Sequence, residues 1–181
     1  MLNFMVDRAC KIAEKRFGVS FDYAREMHRI SPASTWAMLK LQRIGRFRKA
    51  CPPAAAHAAH IAAALCEDCG PCVQIAVNLA LEDGVPAETL RALIDRRLDA
   101  VDSGTADAFL FGEAVARGDA AADEFRQQLT ARYRAKAIVD LAIGIAIARA
   151  WPAMKRAMGH AQFCQRVVIN GVTAPVLRAT G

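Results

Sequence analysis

Aromatic residues are scarce in this chain: they make up 7% of 181 residues, with two tryptophans and two tyrosines. Glycine and proline are sparse too, at 11 and 7. β-Branched residues are few and never form a run of alternating polarity, so an all-α protein is expected. No block of basic residues is interleaved with aromatics. The net charge of +6 attracts anions, yet nucleic-acid binding gains no support from it. The longest apolar stretch, residues 137–151, carries Asp140 and Arg149. It is too short to cross a bilayer, and no membrane span is expected. Residues 1–6 lack a charged region followed by an apolar run and a cleavage site, so a signal peptide is not expected either. These absences point to a soluble cytoplasmic protein. In a reducing compartment six cysteines are not a disulfide framework.

What the chain does contain is alanine, leucine, arginine and glutamate, all good helix formers. The reading is all-α, one domain over residues 1–181, with a core large enough to bury. Helices are expected over 6–17, ending at Gly18, and over 21–30 with Ser20 as N-cap. Pro32 suits the first position of the next, which runs over 33–47. That segment sets Trp36, Leu41, Ile44 and Phe47 beside Lys40, Arg43, Arg46 and Arg48. Its polar side reads as a solvated face on a packed helix, with a membrane-surface helix as the alternative. Residues 54–65 form an alanine-rich helix interrupted by His57 and His60. Alanine lets neighbours approach closely, which places this helix at the centre of the bundle. Further helices are expected over 72–82 (stopped by Asp83-Gly84), 86–98, 105–117, 120–130 and 135–158, the last kinked or divided by Pro152. The tail from 165 to 181 has no periodicity and reads as irregular, an extended segment lying on the surface or on a neighbouring subunit. Cys10, Cys51 and Cys164 stand alone as ordinary buried residues.

Most of the chemistry is concentrated in Glu67-Asp68-Cys69-Gly70-Pro71-Cys72. A thiol at a helix start lies near the positive end of the dipole, which favours the thiolate. Asp68 reads as the N-cap, with Pro71 in the first turn. The carboxylates of Glu67 and Asp68 oppose the dipole and raise the thiol pKa. Two cysteines three apart can close a small disulfide ring and reopen it. Cys-Gly-Pro-Cys is also the thioredoxin tetrapeptide, but there it follows a strand; here it follows an alanine-rich helix, so only the chemistry is shared. Cys66, Cys69 and Cys72 could suggest a metal site, which His57 and His60 could complete in principle, yet no second Cys/His pair of suitable spacing is present; no metal and no cofactor is expected. Gln74 and Asn78, two amides four apart, are expected to bond to each other or to a neighbouring backbone, with a subunit or ligand contact as the alternative.

The run from Ala62 to Ala92 resembles the core of the alkylhydroperoxidase D and carboxymuconolactone decarboxylase superfamily: a Cys-x-x-Cys, an alanine-rich helix, then Gly84-Val85 and the Pro86-Ala-Glu88 helix start. Residues 106–117 and 139–147 resemble the family's downstream helices. The likeness covers about 54–150, and residues 1–50 form a helical extension. It implies an all-helical homo-oligomer that reduces organic hydroperoxides. In such enzymes the second cysteine attacks the peroxide and the first resolves the sulfenic acid, so Cys72 would be peroxidatic and Cys69 resolving. A partner protein would supply the reductant.

The chain departs from that pattern twice. The family's redox branch has a histidine four residues after the second cysteine, where this chain has Ala76. It has a glutamate twelve residues before the first cysteine, where this chain has His57. At roughly 100° per residue, position 76 lies about 340° around from Cys69 and faces the space between the sulfurs. A substitute base must come from another segment. His57 and His60 share one face of the preceding helix, and Glu67 would fall on the face of His60 if that helix continued. His57 or His60 therefore reads as the relocated base, oriented by Glu67. The competing reading makes both histidines spacers packed among alanines. Two other functions stand beside the redox one: a lyase acting on a small organic anion, and a helical oligomer without catalysis.

Overall fold

The computed structural model describes residues 2–45, 47–160 and 166–175. Among them are eight α-helices and one two-stranded hairpin. The helices are α1 (Leu2–Phe17), α2 (Asp22–Ile30), α3 (Pro32–Ile44), α4 (Pro53–Cys66), α5 (Gly70–Glu82), α6 (Ala87–Ile94), α7 (Ser103–Arg117) and α8 (Ala122–Ala157). The fold is all-α.

α4 is the hub. It packs against α5, α7 and α8 and buries nine residues, among them His57. Its alanines allow the close approach expected of them. A Cβ on Gly112 of α7 would lie 2.3 Å from the carbonyl oxygen of Ala59. The two backbones touch there, and only glycine fits. In the same core Ile61, Leu90, Leu93, Phe109, Leu129 and Leu141 are fully buried.

Several expected boundaries hold. Ser31 accepts a hydrogen bond from the Ser34 amide at 3.3 Å and Pro32 opens α3. Asp102 caps α7 through the Thr105 amide at 3.0 Å, and Gly118 ends it in the left-handed region. The break expected between 130 and 135 falls at Arg134 (φ 70°). Other boundaries differ. Ser20 does not cap α2: the N-cap is Phe21, and Ser20 binds the Asp22 amide from one residue further out. α6 stops at Ile94, and residues 98–100 form a separate 3-10 turn. Pro152 does not divide α8, which continues to Ala157.

α8 is long and apolar enough to cross a membrane by length and composition, a test that core helices of soluble proteins also pass. Here it packs on α4 and α7 and carries the buried charges Asp140 and Lys155. Asp140 has a structural task. One carboxylate oxygen accepts the amides of Lys49, Ala50 and Cys51 at 2.9, 2.7 and 3.0 Å. It pins the loop that leads into α4.

The tail is not irregular throughout. Arg166–Ile169 (β1) and Val172–Pro175 (β2) pair antiparallel around Asn170-Gly171. That dipeptide is a strong two-residue hairpin signal. Val167 and Ile169 are buried. Gln74 binds this hairpin from α5: its amide donates to the Val168 carbonyl at 2.9 Å and accepts the Val168 amide at 2.7 Å. Gln74 also donates to Asn78 at 2.8 Å, and Asn78 donates to the Phe17 carbonyl at 3.2 Å. The two amides thus stitch the hairpin and α1 onto α5. α3 packs less than expected: of its residues only Thr35 is buried, and Trp36, Leu39 and Ile44, with Phe47 just beyond, are exposed. Cys10 and Cys51 are buried, and burial pushes the Cys51 thiol up to about 12. Cys164 lies outside the described residues.

Candidate functional site

The cysteine pair sits where α4 stops and α5 starts. α4 ends at Cys66, with Glu67 in its C-cap. Asp68 takes a left-handed conformation (φ 50°) that turns the chain. Cys69, not Asp68, is the N-cap of α5, in extended geometry, and Pro71 lies in the first turn. The Cys69 carbonyl accepts the amides of Cys72 and Val73, both at 3.0 Å. This first turn brings the two α-carbons to 5.3 Å, and the sulfurs are bonded.

The two sulfurs occupy unlike surroundings. Cys69 is 5% exposed. Cys72 is half-buried and borders a cavity of about 90 Å³. The walls of that cavity are largely apolar and aromatic: Phe17, Phe21, Tyr23 and Trp151 among them, joined by His60 and Lys155. A reagent entering from the cavity meets Cys72 first.

His60 also borders a second cavity of about 300 Å³, with Arg48, His57, Ala76, Glu82 and Asp83. The small side chain at position 76 therefore opens onto the histidines of α4. It does not border the cavity that Cys72 faces. Within the second cavity His57 Nε2 lies 2.6 Å from Asp83 Oδ2, and Arg48 pairs with the same carboxylate oxygen. Burial lowers the His57 pKa and outweighs the Asp83 carboxylate, which raises it. Asp83 is held low: burial raises its carboxyl, but the hydrogen bonds with His57 and Arg48 prevail. The pair is thus a neutral imidazole donating to a carboxylate. His60 is enclosed except where it meets the two cavities. Burial pushes its pKa down to about 4, helped by the nearby His57 and Arg48 and opposed by a hydrogen bond with the Gly144 backbone. At neutral pH His60 is an uncharged base between the cavity of Cys72 and the His57–Asp83 pair.

Glu67 takes no part in that line. Its carboxylate accepts Arg149 Nε at 2.7 Å and also pairs with Arg156, whose second nitrogen reaches the Glu67 carbonyl at 2.7 Å. Burial raises the Glu67 carboxyl, and the two arginines overcome it and hold it below the usual range. α8 claimed this carboxylate because α4 ends at Cys66, so Glu67 never reaches the face of His60. The carboxylate beside an α4 imidazole is Asp83, which the sequence marks only as a helix stop.

Lys155 is the other residue missed. Its ammonium nitrogen lies 3.8 Å from Cys69 Sγ and 4.8 Å from the centre of the Tyr23 ring. The residue is 4% exposed, and burial lowers its pKa. The available signal was a helical one: Ile147, Trp151 and Lys155 are spaced by four, so the lysine falls on the apolar stripe of α8.

Among the described residues no group of three or more His, Cys, Asp or Glu is placed to hold a metal ion. No family model, curated protein or solved structure matches this chain.

Proposed function

We propose that the protein is a thiol-dependent oxidoreductase of the alkylhydroperoxidase-like kind, with Cys72 as the attacking sulfur and Cys69 as its resolving partner. The observation that carries this reading is the asymmetry of the pair. One sulfur borders an apolar cavity that it shares with a neutral imidazole, and the other is buried behind it.

The chemistry runs as follows. His60, reached across the cavity through water, takes the Cys72 thiol proton. The Cys72 thiolate attacks the terminal peroxide oxygen and the O–O bond breaks. Cys72 becomes a sulfenic acid, and the departing alkoxide takes the proton from His60 to leave as an alcohol. Cys69 then attacks the Cys72 sulfur, the S–O bond breaks, and water leaves with the disulfide formed. A dithiol from a reductant protein reopens the bond by exchange. The His57–Asp83 pair lies beside His60 in the second cavity. The aromatic walls suit an organic hydroperoxide better than hydrogen peroxide. A cycle that returns to thiols requires a reducing compartment, here the cytoplasm, and the family likeness carries assembly into a homo-oligomer with it. The lyase alternative has less behind it, because Arg48, Arg149 and Arg156 are already paired with Asp83 and Glu67.

The test is turnover of cumene hydroperoxide with a dithiol reductant. Wild type should consume peroxide catalytically, Cys72→Ser should abolish this, and His60→Ala should slow it by about a hundredfold, the usual contribution of a positioned base. Turnover that survives Cys72→Ser sinks the proposal.

A further inference from the structure

Lys155 presents a charge problem that the peroxide chemistry leaves open. An ammonium is 4% exposed, and among the described residues no carboxylate lies within ion-pairing distance of it. Its neighbours are a ring face and a sulfur. An unpaired buried charge costs several kcal/mol, so the arrangement makes sense when an anion forms beside it. Among the described residues the atom in contact that can become one is Cys69 Sγ.

We infer that Lys155 holds the Cys69 thiolate, and so makes the Cys69–Cys72 disulfide an electron acceptor that opens at Cys72. This rests on the proposed redox reading and specifies its reductive half. A thiolate of the reductant attacks the accessible Cys72 sulfur. The S–S bond breaks, Cys72 enters a mixed disulfide, and Cys69 leaves as a thiolate paired with Lys155. The second thiol of the reductant then attacks the mixed disulfide, releases Cys72 as a thiolate that takes a proton, and leaves as the oxidised disulfide. Two electrons pass from the dithiol to the protein. A lower leaving-group pKa speeds the first step, and a stabilised reduced form makes the disulfide more oxidising.

The other groups around Cys69 do not supply this charge. His60 of α4 is neutral at pH 7, and burial keeps the Tyr23 phenol of α2 protonated. In the turn before α5, Glu67 is paired with Arg149 and Arg156 of α8, and Asp68 contributes a negative charge that opposes a thiolate. The N-terminus of α5 helps through its dipole, but it acts on both cysteines.

Two measurements on the full chain test the assignment. The first is the thiolate absorbance at 240 nm in a Cys72→Ser background, with and without Lys155→Met. The Cys69 thiolate should persist to a pH at least one unit lower when Lys155 is present. The second is the rate at which dithiothreitol opens the disulfide. Lys155→Met should slow it tenfold or more, and Lys155→Arg, which keeps the charge, should recover most of the rate. Equal thiolate titrations and equal opening rates in folded Lys155→Met overturn the inference. So does an equal loss in Met and Arg variants, which marks a packing role. The redox reading fails separately: its failure is a wild-type protein whose disulfide opens with dithiothreitol but never re-forms with hydroperoxide.

Discussion

At the residue scale the fold depends on a few buried polar groups with several partners each. Asp140 is the clearest. Three consecutive amides converge on one of its oxygens. Burial raises its carboxyl, and the hydrogen bonds from Ala50, Lys49 and Cys51 more than offset that and leave it low. Asp140→Ala should cost about 3 kcal/mol or more, since each buried amide left without a partner costs about 1–3 kcal/mol. Urea denaturation measures it. The pH dependence has a definite sign. A depressed carboxyl contributes stability that is complete above its unfolded value, about 4, and is lost as pH falls through the folded one. Residues also mark where sequence reasoning reached and where it stopped. The cysteine pair, the two histidines of α4 and the amide pair Gln74–Asn78 were visible because each lies within one or two helical turns. Asp83 and Lys155 were not. Their partners are 26 and 86 positions away, and helical periodicity carries no information at that range. Glu67 finds other partners for a related reason: the helix that would carry it to the face of His60 ends at Cys66, and Arg149 and Arg156 take its carboxylate from 82 and 89 positions away.

At the element scale the decisive contact is between α4 and α7. An alanine-rich helix buries little area per residue, so it stabilises by letting backbones come close. Gly112 is the position where this is most demanding, with Ala59 in the way of any side chain. Gly112→Ala should destabilise by about 1–3 kcal/mol, the usual cost of overpacking, despite the better helix propensity of alanine. Thermal denaturation checks it, and Ala59→Gly should recover none of the loss, because the atoms in the way are the Ala59 backbone. The centrality of α4 was legible from its composition. The hairpin of residues 166–175 was not recognised, although Asn170-Gly171 is the expected turn dipeptide. Its strands are four residues each, too short for an alternating pattern to stand out.

At the scale of the whole molecule, the histidines couple folding to pH. His60 titrates near 6.5 in the unfolded chain and at about 4 when folded. A lowered imidazole value means that the unfolded chain binds the proton more readily. Stability from this group is therefore complete above about pH 6.5 and falls as pH drops toward 4, by on the order of 3 kcal/mol. His57, lowered by burial, adds a decline of the same sign. Stability measured from pH 7 to 4 should decrease, and His60→Asn should remove part of that slope. A slope unchanged in His60→Asn would show that the imidazole is as exposed to protons when folded as when unfolded.

The central claim is that Cys72 reacts and Cys69 resolves, and mass spectrometry after one equivalent of cumene hydroperoxide tests it most directly. Reduced wild type should lose two thiols together and yield a peptide linked through Cys69 and Cys72. Cys69→Ser should instead accumulate a sulfenic acid on Cys72 that dimedone captures, and Cys72→Ser should yield neither product. Dimedone capture at Cys69 in the Cys72→Ser protein, or no modification of Cys72 in the Cys69→Ser protein, would contradict the account.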